Sequence, residues 1–213
     1  MKTHLINNAN SKDLMIFLLG WGMDYLPMVP VVGERNVLFV YDYTDLKLEF
    51  DFSKYKNFTL AAFSCGVFMA PFLKEKLPTV SKATAFSGVF ELFNPEFGLT
   101  PEVISVFKGI TLDNYMDFRR DYLLDTQSEL EKFNKHAPLR TIESSLAELD
   151  ALERYDKTFP KTGYPFSRVF IGKNDRIIPA KNQEKAWKDL KPEIVEGGHF
   201  LFYNHGNLDF FFN

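Results

Sequence analysis

Ser64 stands in Ala62-Phe63-Ser64-Cys65-Gly66, a small-x-Ser-x-Gly pattern that follows the apolar run Phe58–Phe63. A serine hydroxyl becomes a nucleophile when a nearby base takes its proton. A sharp strand-to-helix turn presents such a serine, provided that small residues two before and two after it let strand and helix approach closely. Ala62 fills the place where glycine is commoner. The same residue reads also as a plain helix N-cap, a role that serine favours. Cys65 is an alternative nucleophile, although in such a turn its side chain points away and its backbone N–H is the useful group.

The chain has four histidines, His4, His136, His199 and His205. His199 lies in Glu196-Gly197-Gly198-His199-Phe200, on a glycine-rich loop after a short apolar run, from which a ring can reach into a cleft. His205, in Tyr203-Asn204-His205-Gly206, reads as a helix C-terminal or surface histidine and is the weaker candidate base. Asp175, in Gly172-Lys173-Asn174-Asp175-Arg176-Ile177-Ile178-Pro179, follows another run, where an acid fixes the imidazole tautomer. An Asn-Asp turn uses the same residues. Asp150, Asp156 and Asp189 have no comparable setting. A tetrahedral intermediate needs two donors for its oxyanion. The backbone N–H groups of Cys65 and of Trp21, on the loop Gly20-Trp21-Gly22, are the candidates, against a plain glycine turn with a packing Trp. The order Ser64, Asp175, His199 describes an acyl-transfer site that needs no metal and no organic cofactor.

Six short runs must position these groups: Leu14–Leu19, Val37–Asp42, Phe58–Phe63, Lys82–Gly88, Arg168–Gly172 and Glu193–Gly198. Apolar runs without polar alternation belong to strands buried on both faces, the habit of parallel sheets flanked by helices. Gly66–Lys76 and Ala180–Leu190 are expected helices. Residues 89–165 break the rhythm. Leu130–Tyr155 has helical spacing, with Leu139, Ile142, Leu146 and Leu149 on one face. The expectation is an α/β core of residues 1–88 and 166–213, with a helical lid inserted at 89–165.

A hydrophobic fraction of 46% over 213 residues, including 23 Phe, is enough for a single domain with a sizeable core. The net charge of -3 excludes a general nucleic-acid binder. One cysteine forms no internal disulfide, which fits a reducing cytoplasm. No signal-peptide pattern opens the chain. Apolar stretches such as Met15 to Leu19 fall far below the roughly 20 residues of a membrane span.

On the quoted motifs, and on Phe17-Leu18-Leu19-Gly20-Trp21-Gly22-Met23-Asp24 together with Tyr41-Asp42-Tyr43, the chain resembles α/β-hydrolases over nearly its whole length. More narrowly it resembles the BioG-type pimeloyl-[acyl-carrier-protein] methyl ester esterases of biotin synthesis. That resemblance implies a serine carboxylesterase that releases methanol from a pimeloyl methyl ester carried on acyl carrier protein. Trp21, Phe93, Phe107, Phe118 and Tyr122 are then candidates for an acyl channel, or else core of the insertion. An acidic carrier calls for a basic docking surface. Arg119, Arg120, Lys132, Lys135 and Arg140 are its candidates, although the interleaved Asp117, Asp121, Glu129 and Glu131 read equally as an ordinary solvated face. The rival readings are a hydrolase of another ester or thioester on the same scaffold, and a binding module without catalysis.

Overall fold

The strands are β1 (Lys2–Asn7), β2 (Asp13–Leu18), β3 (Asn36–Tyr41), β4 (Asn57–Phe63), β5 (Lys82–Phe86), β6 (Arg168–Gly172) and β7 (Glu193–Val195). They form one sheet, in the order β1-β3-β2-β4-β5-β6-β7, in a computed structural model that describes residues 1–160 and 163–212. All pairings are parallel except β1 with β3. Each of the six expected runs overlaps a strand, with β2, β3 and β4 beginning one residue earlier and β5 and β7 shorter than the run that announced them. β1 was not expected. It is an edge strand whose residues are all exposed or half-buried, so it lacks the continuous apolar signature of a central strand.

The phenylalanines account for one face of the sheet. Phe39, Phe17, Phe86 and Phe170 come from four strands, and Phe202 and Phe211 from the C-terminal segment cover them, with Phe17–Phe202 and Phe86–Phe211 centroids 5.6 and 5.0 Å apart. Helix α1 (Cys65–Leu73) is buried around nearly its whole circumference. Its approach to β2 requires a glycine: a Cβ on Gly66 would lie 2.3 Å from the Leu18 carbonyl oxygen.

Between β5 and β6 the described residues hold no strand. They form α2 (Pro101–Lys108), α3 (Tyr115–Phe118), a π-helical turn (Arg119–Leu123), α4 (Gln127–Lys135) and α5 (Ile142–Asp156). Thr126 and Glu129 make a reciprocal capping box at α4, and Thr141 caps α5. The expected apolar face of this region is corrected in one respect. Leu139 precedes α5, is 82% exposed, and uses its N–H on Asp24. The buried face of α5 instead includes Ser145 and Glu148 beside Ile142, Leu149 and Leu152. After β6 come α6 (Ala180–Ala186), shorter than expected, and α7 (Asp209–Phe212). No helix of the described residues is long and apolar enough to cross a membrane.

The Gly66 contact generates a stability prediction. A side chain there meets backbone rather than a flexible group, so Gly66→Val should cost about 2–4 kcal/mol. Thermal denaturation should then show a midpoint lowered by roughly 5–15 °C. A midpoint within a degree of the parent would refute the close packing of α1 on β2.

Candidate active site

Ser64 joins β4 to α1 with φ 55° and ψ −123°, a strained conformation for a residue with a Cβ. Its N–H donates to the Phe86 carbonyl at 2.9 Å, and its carbonyl accepts from Val67 N–H at 3.0 Å. Its hydroxyl makes no capping bond to α1, so a plain N-cap does not describe it. The Cys65 thiol points to the Leu19 carbonyl, 3.8 Å away. Burial, and then the charge of Glu148, push it well above the ordinary thiol range, so it stays protonated and a poor nucleophile.

His199 and Asp175 meet. Nδ1 of His199 lies 2.8 Å from Oδ2 of Asp175, with both residues buried. The aspartate is held by further donors: Ile177 and Ile178 N–H on Oδ1 at 2.9 Å each, and Gln183 Nε2 on Oδ2 at 2.8 Å. The Asn-Asp turn and the partnership with histidine are thus one arrangement. With Nδ1–H donating to Asp175, Nε2 of His199 is left as the nitrogen able to accept a proton. Ser64 and His199 line the same cavity, although no hydrogen bond joins them among the described residues. His205 lies apart, bonded to the Glu196 carbonyl and stacked on Phe210.

The loop that carries Trp21 is fixed by α5. Glu148, fully buried, accepts from Gly22 N–H at 2.9 Å and from Tyr43 N–H at 2.8 Å, and pairs with Arg140 Nη1 at 2.6 Å. Burial pushes its carboxyl above the usual carboxylate range, while Arg140 and the two N–H groups pull it back. The indole Nε1 of Trp21 donates to the Ser145 carbonyl at 2.6 Å, and the ring stacks on Phe107 at 4.7 Å. The backbone N–H groups of Trp21 and Cys65 have no acceptor among the described residues, and both residues line the cavity with Ser64. Sequence reasoning missed Glu148 and Gln183, since a charged or amide residue within a helix carries no local sign of burial.

The other expected site residues divide. Phe107 and Phe118 line the cavity. Tyr122 stacks behind Phe118 at 5.9 Å, and Phe93 packs instead against Phe68 of α1. Two expected docking residues are corrected. Arg140 has a side chain only 3% exposed, drawn in by Glu148 and Asp42, and Arg119 is buried and lines the cavity. Arg120 and Lys135 are exposed, the former paired with Asp117 and Asp121, while the ammonium of half-buried Lys132 sits over the Tyr203 ring.

Comparison with known proteins places this site in context. The family profile described as Pimeloyl-ACP methyl esterase BioG matches residues 1–209. A malonyl-[acyl-carrier protein] O-methyltransferase of Bacteroides fragilis is 30% identical over 201 residues, which are 89% of this chain and 40% of that protein. The chain therefore spans well under half the length of this relative. The crystal structure of BioG from Haemophilus influenzae superposes with a TM-score of 0.83 at 24% identity, covering 98% of each chain. A lipase-esterase related protein from Clostridium acetobutylicum superposes at 0.60 and 17% identity, covering 94% of this chain and 93% of that one. The fold is the α/β-hydrolase fold.

The buried pair under the Trp21 loop can be tested directly. Glu148→Ala should destabilise the protein by about 3–5 kcal/mol, because it takes from a buried guanidinium one of its two carboxylate partners and leaves two N–H groups without acceptors. Replacing Arg140 and Glu148 together with Met should recover much of that loss. Urea denaturation measures both, and a single-variant cost below about 1 kcal/mol would contradict this role for the pair.

Proposed function

The chain belongs to the pimeloyl-ACP methyl esterase BioG family, and from that premise we propose that it is a serine esterase. Its substrate in this reading is the methyl ester at the far end of a pimeloyl chain on acyl carrier protein. Its products are methanol and the free acid on the same carrier. The observation that carries the proposal is the shared cavity: strained Ser64 and the Asp175-bound His199 open onto one apolar space.

The chemistry follows from that arrangement. Ser64 Oγ attacks the ester carbonyl as Nε2 of His199 takes its proton. Asp175 holds the imidazolium that forms. The N–H groups of Trp21 and Cys65 receive the oxyanion, which is the largest electrostatic contribution in such reactions. The imidazolium protonates the departing methoxide. Water, deprotonated by the same histidine, then attacks the acyl-serine, and the carboxylate leaves. No cofactor takes part in these steps. Trp21, Phe107 and Phe118 form the apolar wall for the acyl chain. Docking of an acidic carrier falls to the exposed cations Arg120 and Lys135, with half-buried Lys132 beside them, by charge complementarity. The cytoplasm suits this reading, since its reducing conditions leave a lone buried thiol such as Cys65 unaffected.

Methanol release from pimeloyl-carrier methyl ester tests the proposal. Ser64→Ala should lower kcat by roughly 10⁴- to 10⁶-fold, and Asp175→Asn by roughly 10⁴-fold through the wrong imidazole tautomer. A fluorophosphonate should label the parent protein and not the Ser64→Ala variant. Labelling without methanol release would discard this substrate and keep a serine hydrolase. Turnover undiminished in Ser64→Ala would discard the mechanism.

A further inference from the structure

Arg119 is the one Lys or Arg side chain lining the catalytic cavity, and no Asp or Glu lines it with it among the described residues. It is 7% exposed and has no carboxylate partner among those residues. Nη1 donates to Asn134 Oδ1 at 3.1 Å, and to the Met116 sulfur at 3.8 Å. The guanidinium carbon lies 4.3 Å from the centre of the Tyr115 ring and 5.4 Å from that of Phe133, so two aromatic faces fix its position. Nε is buried and bonded to nothing among the described residues. A buried donor without a partner is costly, and a charged one more so. Such a group persists where something else supplies the acceptor. The residue opens a π-helical turn, a local irregularity frequent at functional sites.

We propose that Arg119 is a specificity-determining residue of the acyl site. Its Nε–H donates to an oxygen at the far end of the acyl chain whose ester carbonyl reacts at Ser64. The cavity then selects esters that carry a second carbonyl or carboxylate oxygen over simple fatty esters, whose methyl terminus would leave the Arg119 Nε–H unpaired. In a carrier-bound dicarboxylic substrate that oxygen is the thioester carbonyl. The inference rests on the esterase reading above.

The test compares three small esters on the purified protein: monomethyl pimelate, dimethyl pimelate and methyl octanoate. The first offers a distal carboxylate, the second a distal neutral carbonyl, and the third no distal oxygen. The parent enzyme should favour one or both oxygen-bearing esters over methyl octanoate by roughly 10- to 100-fold in kcat/KM, since a polar site discriminates strongly against a ligand that lacks the matching group. Which of the two is favoured tells a charge-reading site from a carbonyl-reading one. In Arg119→Met the preference should shrink to about threefold or less. In Arg119→Lys a carboxylate preference should survive in part and a carbonyl preference should be lost. Because the readout is a ratio within each variant, partial misfolding scales both rates and leaves it intact. A ratio in Arg119→Met equal to that of the parent, or no preference in the parent, would overturn the role of Arg119 and leave the esterase standing. Turnover of none of the three esters by the parent, with no labelling of Ser64, would bring down the esterase reading and this inference with it.

Discussion

A non-glycine residue in a sparsely populated backbone region costs of the order of 1–3 kcal/mol, and the surroundings must over-determine it. Ser64 is in that position, and three glycines from separate segments make it possible. A Cβ on Gly66 would strike the Leu18 carbonyl, one on Gly88 would lie 2.5 Å from the Ser64 carbonyl oxygen, and one on Gly20 would lie 3.2 Å from the Ser64 Cβ. Strand, helix and the loop before Trp21 therefore close on Ser64 from three sides. The bonds from Ser64 N–H to Phe86 and from Val67 N–H to Ser64 complete the frame. The serine is exposed to the cavity because its backbone has nowhere else to go.

The insertion is joined to this frame by several polar contacts, two of which bear on the loops around Ser64. At one, Glu148 of α5 takes the N–H groups of Gly22 and Tyr43, so the loop carrying a candidate oxyanion donor is positioned from the insertion rather than from the sheet. A buried ion pair is weak evidence for stability, since well-packed apolar residues often serve as well. Its value here is directional: a carboxylate between two backbone N–H groups sets the loop's position in a way that apolar packing cannot. At the other point, Phe200 N–H donates to the Leu123 carbonyl and Asn174 Nδ2 donates to Asp125, tying the loops of His199 and Asp175 to the π-helical turn that begins at Arg119.

The parts of this arrangement that were legible in the sequence are those whose signals are local. β2, β3 and β4 announced themselves because burial on both faces forbids polar residues. Ser64 and Asp175 could be picked out because each follows a largely buried strand on a turn, and His199 because two glycines precede it on the loop after β7. What was illegible depends on tertiary context. β1 pairs only at an edge and so keeps a mixed composition. Arg140 and Arg119 read as surface because a cation on a polar helix ordinarily is surface, and nothing nearby in the chain reveals that Glu148 or a ring of aromatics draws them inward. For Phe93 the sequence leaves channel wall and insertion core both open, since residue type does not distinguish a cavity wall from the packing around Phe68.

These tethers bear on how the cavity at Ser64 can be reached. Opening the insertion at α5 would expose a paired carboxylate and guanidinium, and opening it at the π turn would break hydrogen bonds to the loops of both Asp175 and His199. The segment carrying α2 and α3 is held differently. Phe107 and Phe118 meet Trp21 through ring contacts at 4.7 and 6.2 Å, and the Lys108–Glu153 pair that adds to them is solvent-accessible. Exposed pairs of that kind contribute little. Leu112 and Met116 on the same segment are 81% and 48% exposed, so apolar surface already faces outward there. Dispersion contacts between rings re-form after sliding, whereas a buried charge loses its partner at once. The energetic path of least resistance to the cavity therefore runs beneath α2 and α3, along the aromatic wall, with Arg119 at the end of α3 beside it.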